Sequence, residues 1–451
     1  MRRLSQALAN EITRQGQERR GVIIGYDRRF LSRQAAESSA EVFAGNNIPA
    51  ILLKQDAPTP LITFATAVHG SAYGLAFTAS HNPPEWNGLK VFHGDGSLLQ
   101  DDETKQIETE TNSLAEDNVI KLELDLALQA GIVQSGDFTN PYVDAVEALI
   151  DMQVIRNAGL NVIVDPMYGV GQPTLGTVLT EARCRVTFIH ERHNPLFGGR
   201  SPAPNADALR LLSTSMHEST YDVGLAMDGD ADRIAILDEH GEYIPVNEVL
   251  LLLYWYLHEI RGQRGGVVRN LSTTHLLNRL AQRLHEECYE VPVGFKHIVS
   301  SMLSHNALLG GESSGGLSIR GHILGKDGIF ASALVVEMLA RTGRTISELQ
   351  QTVFDLTGRL YQIEETLPAT PEMRIVVPRS LQEAPQGHAA GYPILKTSRM
   401  DGTKLYLDND NWLLLRFSGT EPVLRLTAEA DTPEKAGQLL DWLKQIVTSS
   451  R

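Results

Sequence analysis

The chain has 451 residues, which at about 100–200 residues per domain makes three or four domains. With 42% hydrophobic and 21% charged residues it has the composition of a globular protein with sizeable cores, and its net charge of −15 excludes the basic face of a nucleic-acid binder, though not an anionic substrate in a local positive pocket. Two cysteines, Cys184 and Cys288, exclude a disulfide framework and fit a reducing cytoplasm.

Residues 4–17 read as an amphipathic helix with no apolar run behind it, so no signal peptide is read there. Gly21 to Asp27 reads as a strand running into a loop, Ser32 to Ala44 as helix, Ala50 to Leu53 as strand and Leu61 to His69 as helix. Gly74 to Phe77 reads as a short buried strand that breaks at Thr78-Ala79-Ser80-His81-Asn82-Pro83-Pro84, where the prolines stop a helix from starting at once. This alternation implies a largely parallel sheet covered by helices. Asp101 to Leu128 is acidic and helical and reads as a solvated outer face.

A second unit begins near Asn140-Pro141, with a helix from Tyr142 to about Ile155 and a strand at Asn161 to Asp165. Gly169 and Gly171 start like a dinucleotide fingerprint, but Thr174 stands where a third small residue is needed, so a glycine turn opening a helix is the plainer account. Val186 to Ile189 reads as strand, Ala206 to Met216 as helix, and Asp222 to Met227 as a strand ending in Asp228-Gly229-Asp230-Ala231-Asp232-Arg233, with strand again to Leu237. A third unit starts near Asn247. Its apolar run Val249 to Leu257 is too short for the roughly 20 residues of a bilayer span and reads as a buried helix. The strand Gly266 to Arg269, a helix from His275 to Glu286, the stretch Pro292 to Ile298, the glycine-rich Gly310 to Gly316 and a helix from Gly328 to Ala340 follow. Residues 357–371, with Pro368 and Pro371, read as a linker to a last unit with strands at Trp412 to Arg416 and Val423 to Ala428 and a closing helix from Pro433 to Ile446. Strand, loop and helix recur in the first three units, which suggests a distant structural repeat.

Four stretches carry chemistry. Ser80 is a hydroxyl at a strand end; a serine needs help to act as a nucleophile, and it can also carry a phosphate. Alone, Ser-His-Asn-Pro is also ordinary turn chemistry. His81 adjoins the serine, so its side chain is expected to point elsewhere, and G-x-S-x-G is absent, which leaves a serine hydrolase without a motif. Asp228, Asp230 and Asp232 alternate along a loop between apolar strands. Three convergent carboxylates repel unless a cation joins them, and oxygen ligands suit a hard ion such as Mg²⁺, with an Asx-rich turn as the alternative for the motif alone. Arg233 occupies the position where an EF-hand needs glycine, and beside a metal it offers a fork for phosphate. Glu312, with Ser313 and Ser314 among flexible glycines, suits gripping vicinal sugar hydroxyls, although a plain loop reads equally well. Arg416, Ser418, Gly419 and Thr420 in a strand–turn–strand fit a phosphate dianion or an ordinary hairpin. Lys90 and Lys296 are candidates for proton handling or phosphoryl charge neutralisation, with a surface ion pair as the alternative for each.

Together, T-A-S-H-N-P, D-G-D-A-D-R, G-E-S-S-G and R-F-S-G-T-E-P resemble, in order and at similar separations, four loops of the phosphohexomutase family, which includes phosphoglucomutase and phosphomannomutase. These are its phosphoserine, magnesium, sugar-binding and phosphate-binding loops, and the resemblance covers nearly the whole chain. It implies an α/β protein with three related α/β domains and a smaller α+β C-terminal domain around a central cleft, bounded at 1–139, 140–246, 247–362 and 363–451. It also implies an isomerase of carbohydrate metabolism, an intramolecular phosphotransferase that interconverts hexose 1-phosphate and hexose 6-phosphate. Phosphoserine at Ser80 and a hexose 1,6-bisphosphate, which is also the activator, carry the phosphoryl group. By this resemblance one Mg²⁺ per active site is held by Asp228, Asp230, Asp232 and an oxygen of phosphorylated Ser80. Lys90, Arg233 and Lys296 serve the reacting phosphoryl group and its proton transfers, Glu312 and Ser314 bind sugar hydroxyls, and Arg416, Ser418, Gly419 and Thr420 hold the non-reacting phosphate. The implied partners are small hexose phosphates, with no nucleic acid and no membrane, in a cytoplasmic monomer or homodimer.

Two departures qualify the resemblance. Family members usually open with a strand and a G-T-x-G-x-R-G-like segment whose arginine approaches the phosphoserine, whereas this chain starts in what reads as the following helix; a late recorded start or a truncation is the expectation. Members acting on mannose or glucosamine phosphates often carry His after G-E-x-S-G, and here Gly316 stands there. That favours a glucose phosphate and a bacterial-type phosphoglucomutase, and it removes one candidate acid/base. Phosphomannomutase and phosphoglucosamine mutase are the alternatives. A non-catalytic sugar-phosphate-binding relative is the rival from another class, and Ser80 with the Asp trio counts against it.

Overall fold

Val22-Ile23-Ile24-Gly25-Tyr26 is buried at every residue, the pattern of a strand covered on both faces. In the computed structural model, which describes residues 1–377, 387–419 and 421–449, it is β1 (Val22–Tyr26). With β2 (Ala50–Leu53), β3 (Tyr73–Phe77), β4 (Leu89–His93) and β5 (Val133–Gly136) it builds a sheet ordered β4-β3-β1-β2-β5. All pairs are parallel except β3–β4, which is antiparallel. The helices Arg2–Arg14 and Ser32–Gly45 pack on each other, and Leu8, Ile12, Ala40 and Phe43 join the core with Ile24 and Leu75.

The second sheet repeats the plan with β6 (Asn161–Asp165), β7 (Arg185–Phe188), β8 (Val223–Met227), β9 (Ile234–Leu237) and β10 (Tyr243–Ile244), ordered β10-β9-β8-β6-β7. Again the central strand pairs in parallel on both sides and the strand after the third returns antiparallel. A third parallel set has β11 (Val267–Asn270) between β12 (Cys288–Val291) and β13 (Leu309–Gly311), and β14 (Leu317–Ile319) follows in sequence. The repeat therefore has a physical form. The Ser80 loop leaves β3, the Asp loop leaves β8 and the Glu312 loop leaves β13, each at the carboxyl end of a parallel strand, where open α/β sheets place ligands.

The last sheet is antiparallel. β15 (Tyr361–Pro368), β18 (Lys396–Ser398), β19 (Thr403–Tyr406), β20 (Trp412–Phe417) and β21 (Val423–Ala430) run in the order β15-β21-β20-β19-β18. A two-residue pair, β16 (His388–Ala389) with β17 (Tyr392–Pro393), stands apart from it, and the helix Pro433–Ser449 packs on β21 through Leu439 and Leu443. The chain divides into two compact units, Met1–Val249 with Ser314–Leu349, and Leu250–Ser313 with Gln350–Arg451. Among the described residues no helix is long and apolar enough to cross a membrane.

Several expectations are corrected. The helix expected from Tyr142 to Ile155 is two, Thr139–Ala148 and Met152–Ala158, because the Asp151 carboxylate caps the second by accepting from Val154 N–H at 3.1 Å. The stretch 357–371 is no linker: it holds β15, paired along its whole length with β21. Its alternating exposure marks an edge strand, and Pro368 is tolerated at its end. The acidic stretch from Asp101 breaks into Asp101–Ser113 and Leu124–Gln129, which bury Ile107 and Ala127, so it is not wholly a solvated face.

Candidate active site

Ser80 sits where β3 ends, with φ of +51° and 7% exposure. A left-handed serine needs support, and the loop supplies it: Ser80 N–H donates to Thr78 Oγ1 at 2.8 Å, and its carbonyl accepts from Arg29 Nη2 at 2.7 Å. Arg29 is wholly buried and was not read from the sequence. It also donates to the carbonyls of Asn82, Pro83 and Trp86 and pairs with Asp27 through Nε at 3.2 Å. Its guanidinium lies over Phe197 at 4.9 Å. One fork of five donors thus shapes the whole serine loop. The expectation for His81 is overturned: Nδ1 lies 3.5 Å from Ser80 Oγ, because the left-handed serine turns the next side chain back. Burial, and then the charges of Arg233 and Lys326, push that imidazole down to about 3, so it is neutral beside the serine.

The Asp loop lies against the serine loop. A Cβ on Gly229 would meet Ser80 O at 2.8 Å, so only glycine allows this approach. Ser80 Oγ donates to Asp228 Oδ2 at 2.6 Å. Asp228, Asp230 and Asp232 are at most 2% exposed, and one oxygen from each lies within 4.8 Å of the others. Asp228 Oδ1 accepts from the N–H groups of Asp232 and Arg233 at 3.0 and 3.1 Å. Lys90 Nζ donates to Asp230 Oδ2 and Asp232 Oδ2, both at 2.6 Å. Arg233 Nε stands 3.8 and 3.7 Å from Asp228 and Asp232.

Two further residues of this cluster escaped the sequence reading. Lys326 Nζ lies 3.1 Å from Asp232 Oδ2, and Thr59 Oγ1 donates to Asp230 Oδ2 at 2.5 Å. The sequence trace of Lys326 is the K-D-G that opens the helix Gly328–Thr342; Thr59 leaves only the T-P that opens the helix Thr59–His69.

The electrostatics follow from this packing. Burial, and then Asp232 and Asp230, push Asp228 up to about 8. Burial alone would also raise Asp232, but Lys326, Lys90 and Arg233 outweigh it and hold that carboxyl well below the usual range. Burial would lower Lys90; the three carboxylates outweigh it and raise it, so this lysine is a fixed cation. Buried Asp230 Oδ1 and Asp232 Oδ1 have no hydrogen-bond partner among the described residues. Orphaned carboxylate oxygens converging with a third carboxylate fit a hard divalent cation such as Mg²⁺.

In the second unit Glu312 is buried, and its Oε1 accepts from Asn270 Nδ2 at 3.2 Å and Gly294 N–H at 3.1 Å. Lys296 lies half-buried in the first turn of the helix Phe295–His305. Arg416, at the end of β20, pairs through Nε with Asp401 at 2.8 Å. Ser418 is buried in the turn, where Oγ accepts from Glu421 N–H at 3.2 Å, and Gly419 is exposed. Arg374, a further cation beside this turn, donates to Ser418 O at 2.9 Å. Thr420 lies outside the described residues. Ser314 is exposed and belongs to the first unit.

Comparison with known proteins agrees with this arrangement. The chain matches the phosphoglucomutase/phosphomannomutase models for alpha/beta/alpha domain I over residues 1–118, domain II over 140–241, domain III over 245–356 and the C-terminal domain over 372–444. It is 30% identical over 444 residues to a phosphoglucomutase/phosphomannomutase of Thermococcus kodakarensis, covering 97% of this chain and 92% of that one. A Pyrococcus abyssi protein described as a probable phosphoglucosamine mutase is 30% identical, covering 94% and 90%. The crystal structure of a Thermus thermophilus protein described as a phosphomannomutase superposes with a TM-score of 0.84 at 30% identity, covering 99% and 94%. With three α/β domains, a C-terminal antiparallel domain and these four loops, the chain belongs to the phosphoglucomutase/phosphomannomutase family and is a phosphohexomutase of its four-domain type.

Proposed function

We propose that the chain interconverts glucose 1-phosphate and glucose 6-phosphate through phosphoserine at Ser80, and that its domains are bounded at 1–139, 140–246, 247–362 and 363–451. The observation that carries the reading is Ser80 Oγ, held 2.6 Å from Asp228 beside a carboxylate trio already paired with Lys90 and Lys326. The bond from Ser80 Oγ to phosphorus breaks as a sugar hydroxyl oxygen bonds to phosphorus. That hydroxyl loses its proton to a base, and Ser80 Oγ gains one. The resulting glucose 1,6-bisphosphate, which also serves as activator, turns and returns its other phosphoryl group to Ser80. Lys90, Lys326, Arg233 and Lys296 offset the charge of the in-line transfer. Asp228, Asp230, Asp232 and a phosphoserine oxygen would hold one Mg²⁺, which when bound neutralises phosphoryl charge. Glu312 and Ser314 grip sugar hydroxyls, and Arg416, Ser418, Gly419 and Thr420 hold the non-reacting phosphate in either orientation. Gly316 in place of histidine favours glucose, and the free thiols of Cys184 and Cys288 favour a cytoplasmic setting.

Ser80→Ala is expected to abolish turnover and to spare glucose 6-phosphate binding; unchanged turnover would sink the phosphoserine mechanism. Wild-type rates on glucose 1-phosphate and mannose 1-phosphate, each with its bisphosphate, and on glucosamine 1-phosphate test the sugar. Faster turnover of mannose or glucosamine overturns the glucose assignment and leaves the phosphohexomutase chemistry standing.

A further inference from the structure

One carboxylate of the second unit touches Arg416 and the residue before the glycine that holds Glu312. Asp401 Oδ2 accepts from Arg416 Nε at 2.8 Å and from the backbone N–H of Val293 at 3.1 Å. The next residue, Gly294, donates its own N–H to Glu312 Oε1 at 3.1 Å. Arg416, Asp401 and Val293 are therefore joined by hydrogen bonds, and the covalent backbone from Val293 to Gly294 carries the connection on to Glu312, linking β20 to the loop after β13.

The backbone holds this chain in place. Gly294 caps the helix Phe295–His305 with φ of +129°, a conformation that side chains rarely adopt. Gly402, directly after Asp401, has φ of +92°, and a Cβ there would meet Leu415 O at 2.4 Å, so the turn presses on β20 beside Arg416. A guanidinium carries its five N–H donors in one plane, so a carboxylate fixed on its Nε edge sets the direction of the rest.

We infer that Asp401 is a positioning residue: it aims Arg416 at the non-reacting phosphate and ties that arginine to the Val293–Gly294 backbone, whose second N–H steadies the sugar-holding Glu312. The inference rests on the proposed roles of Arg416 and Glu312. The distal phosphate is bound alike in ground state and transition state, so loss of aim appears in KM and not in kcat.

The test uses the full-length protein and glucose 6-phosphate, with dissociation constants from calorimetry, steady-state KM and kcat, and thermal unfolding as the check on folding. Asp401→Asn keeps an acceptor for Val293 N–H and removes the charge from Arg416. It is expected to weaken glucose 6-phosphate binding and raise KM about tenfold while kcat holds. Combined with Glu312→Gln, its effect is expected to be less than additive. Unchanged affinity in Asp401→Asn, with affinity lost in Arg416→Ala, overturns the inference and leaves the phosphate loop standing. Tighter binding in Asp401→Asn also overturns it, since Asp401 would then compete with the substrate for Arg416. Unchanged affinity in Arg416→Ala overturns the phosphate-loop reading itself, which is a distinguishable result.

Discussion

Replacing Thr59 by Val removes one hydroxyl and keeps the side-chain shape. Thr59 Oγ1 donates to Asp230 Oδ2 at 2.5 Å, and its N–H donates to Asp230 O at 3.0 Å. The variant keeps the second bond, and Lys90 still holds the same carboxylate oxygen at 2.6 Å, so the loop stays in place. What is lost is one buried bond to a charged acceptor, about 1.5–3 kcal/mol. An outer partner of a metal-holding carboxylate carries about 10–100-fold in metal affinity, or about 1.4–2.8 kcal/mol. The two figures agree, so Mg²⁺ is expected to bind about 10–100-fold more weakly to Thr59→Val, while Thr59→Ser, which keeps the hydroxyl, stays close to wild type. Calorimetric Mg²⁺ titration of the phosphorylated protein measures this directly, with no need of turnover. Wild-type affinity in Thr59→Val would show that Asp230 needs no help from the hydroxyl and refute the reasoning.

Arg29→Lys exchanges a planar fork for three donors at one point, so at least one of the four carbonyls held by Arg29 Nη1 and Nη2 loses its partner. A loss of about 3 kcal/mol in stability is expected, with a fall in kcat as Ser80 loses its left-handed backbone conformation; chemical unfolding and a mutase assay check both, and full activity would remove Arg29 from the serine loop's support. Glu239 accepts from Ser347 Oγ and so ties the turn after β9 to the start of the helix Ile346–Thr357. Burial would raise this carboxyl, but hydrogen bonds from Ser347, from its own backbone and from Thr345 hold it below its usual value. A depressed carboxyl adds stability above its unfolded pKa and loses it as pH falls through the folded one. Glu239→Gln is therefore expected to cost about 1 kcal/mol at pH 7, with the gap to wild type closing below about pH 4. Urea unfolding at both pH values measures it, and a gap independent of pH would contradict the assignment.

The Ser80 and Asp loops were legible because each is a run of polar or glycine residues fixed at the end of a strand that is apolar throughout, β3 and β8. The edges of the sheets were not. β4 is only half-buried at four of its five residues, and in β15 the adjacent Glu364 and Glu365 break the alternation of apolar and polar groups, so neither carries a strong hydrophobic period. Residues whose meaning depends on a distant partner were hidden too. Thr59 lies 171 residues from Asp230, and T-P alone says only that a helix begins. Lys404 in β19 breaks the rule that lysine stays outside. It is 1% exposed because Glu290 Oε2 and Leu271 O, 114 and 133 residues away, accept from its Nζ at 2.8 and 2.7 Å. Ion pairs across elements leave no periodic trace in either partner.

Gly316 and Lys326 are best understood as one arrangement. A Cβ at position 316 would meet Lys326 Cδ at 2.0 Å and Cγ at 2.7 Å, so the glycine is the space through which the lysine stem reaches Asp232. A histidine at 316 and this lysine position exclude each other, and where the sequence suggested a lost acid or base the structure places a cation from ten residues further along. This bears on charge. Lys90, Lys326 and Arg233 face Asp228, Asp230 and Asp232, and burial with the two neighbouring carboxylates holds Asp228 toward its neutral form, which is how so acidic a loop is buried. A phosphate on Ser80 adds close to two negative charges, and a divalent ion on the trio adds two positive ones. On the proposed mechanism phosphoserine and metal would arrive as a nearly neutral pair, and each would favour the other. Removing Lys326 would unbalance the cluster in both states, whereas a larger residue at 316 would do the same by pushing the lysine away. On the proposed mechanism the identity of residue 316 would therefore bear on phosphoryl transfer through Asp232 as well as on any sugar hydroxyl that a longer side chain there would touch.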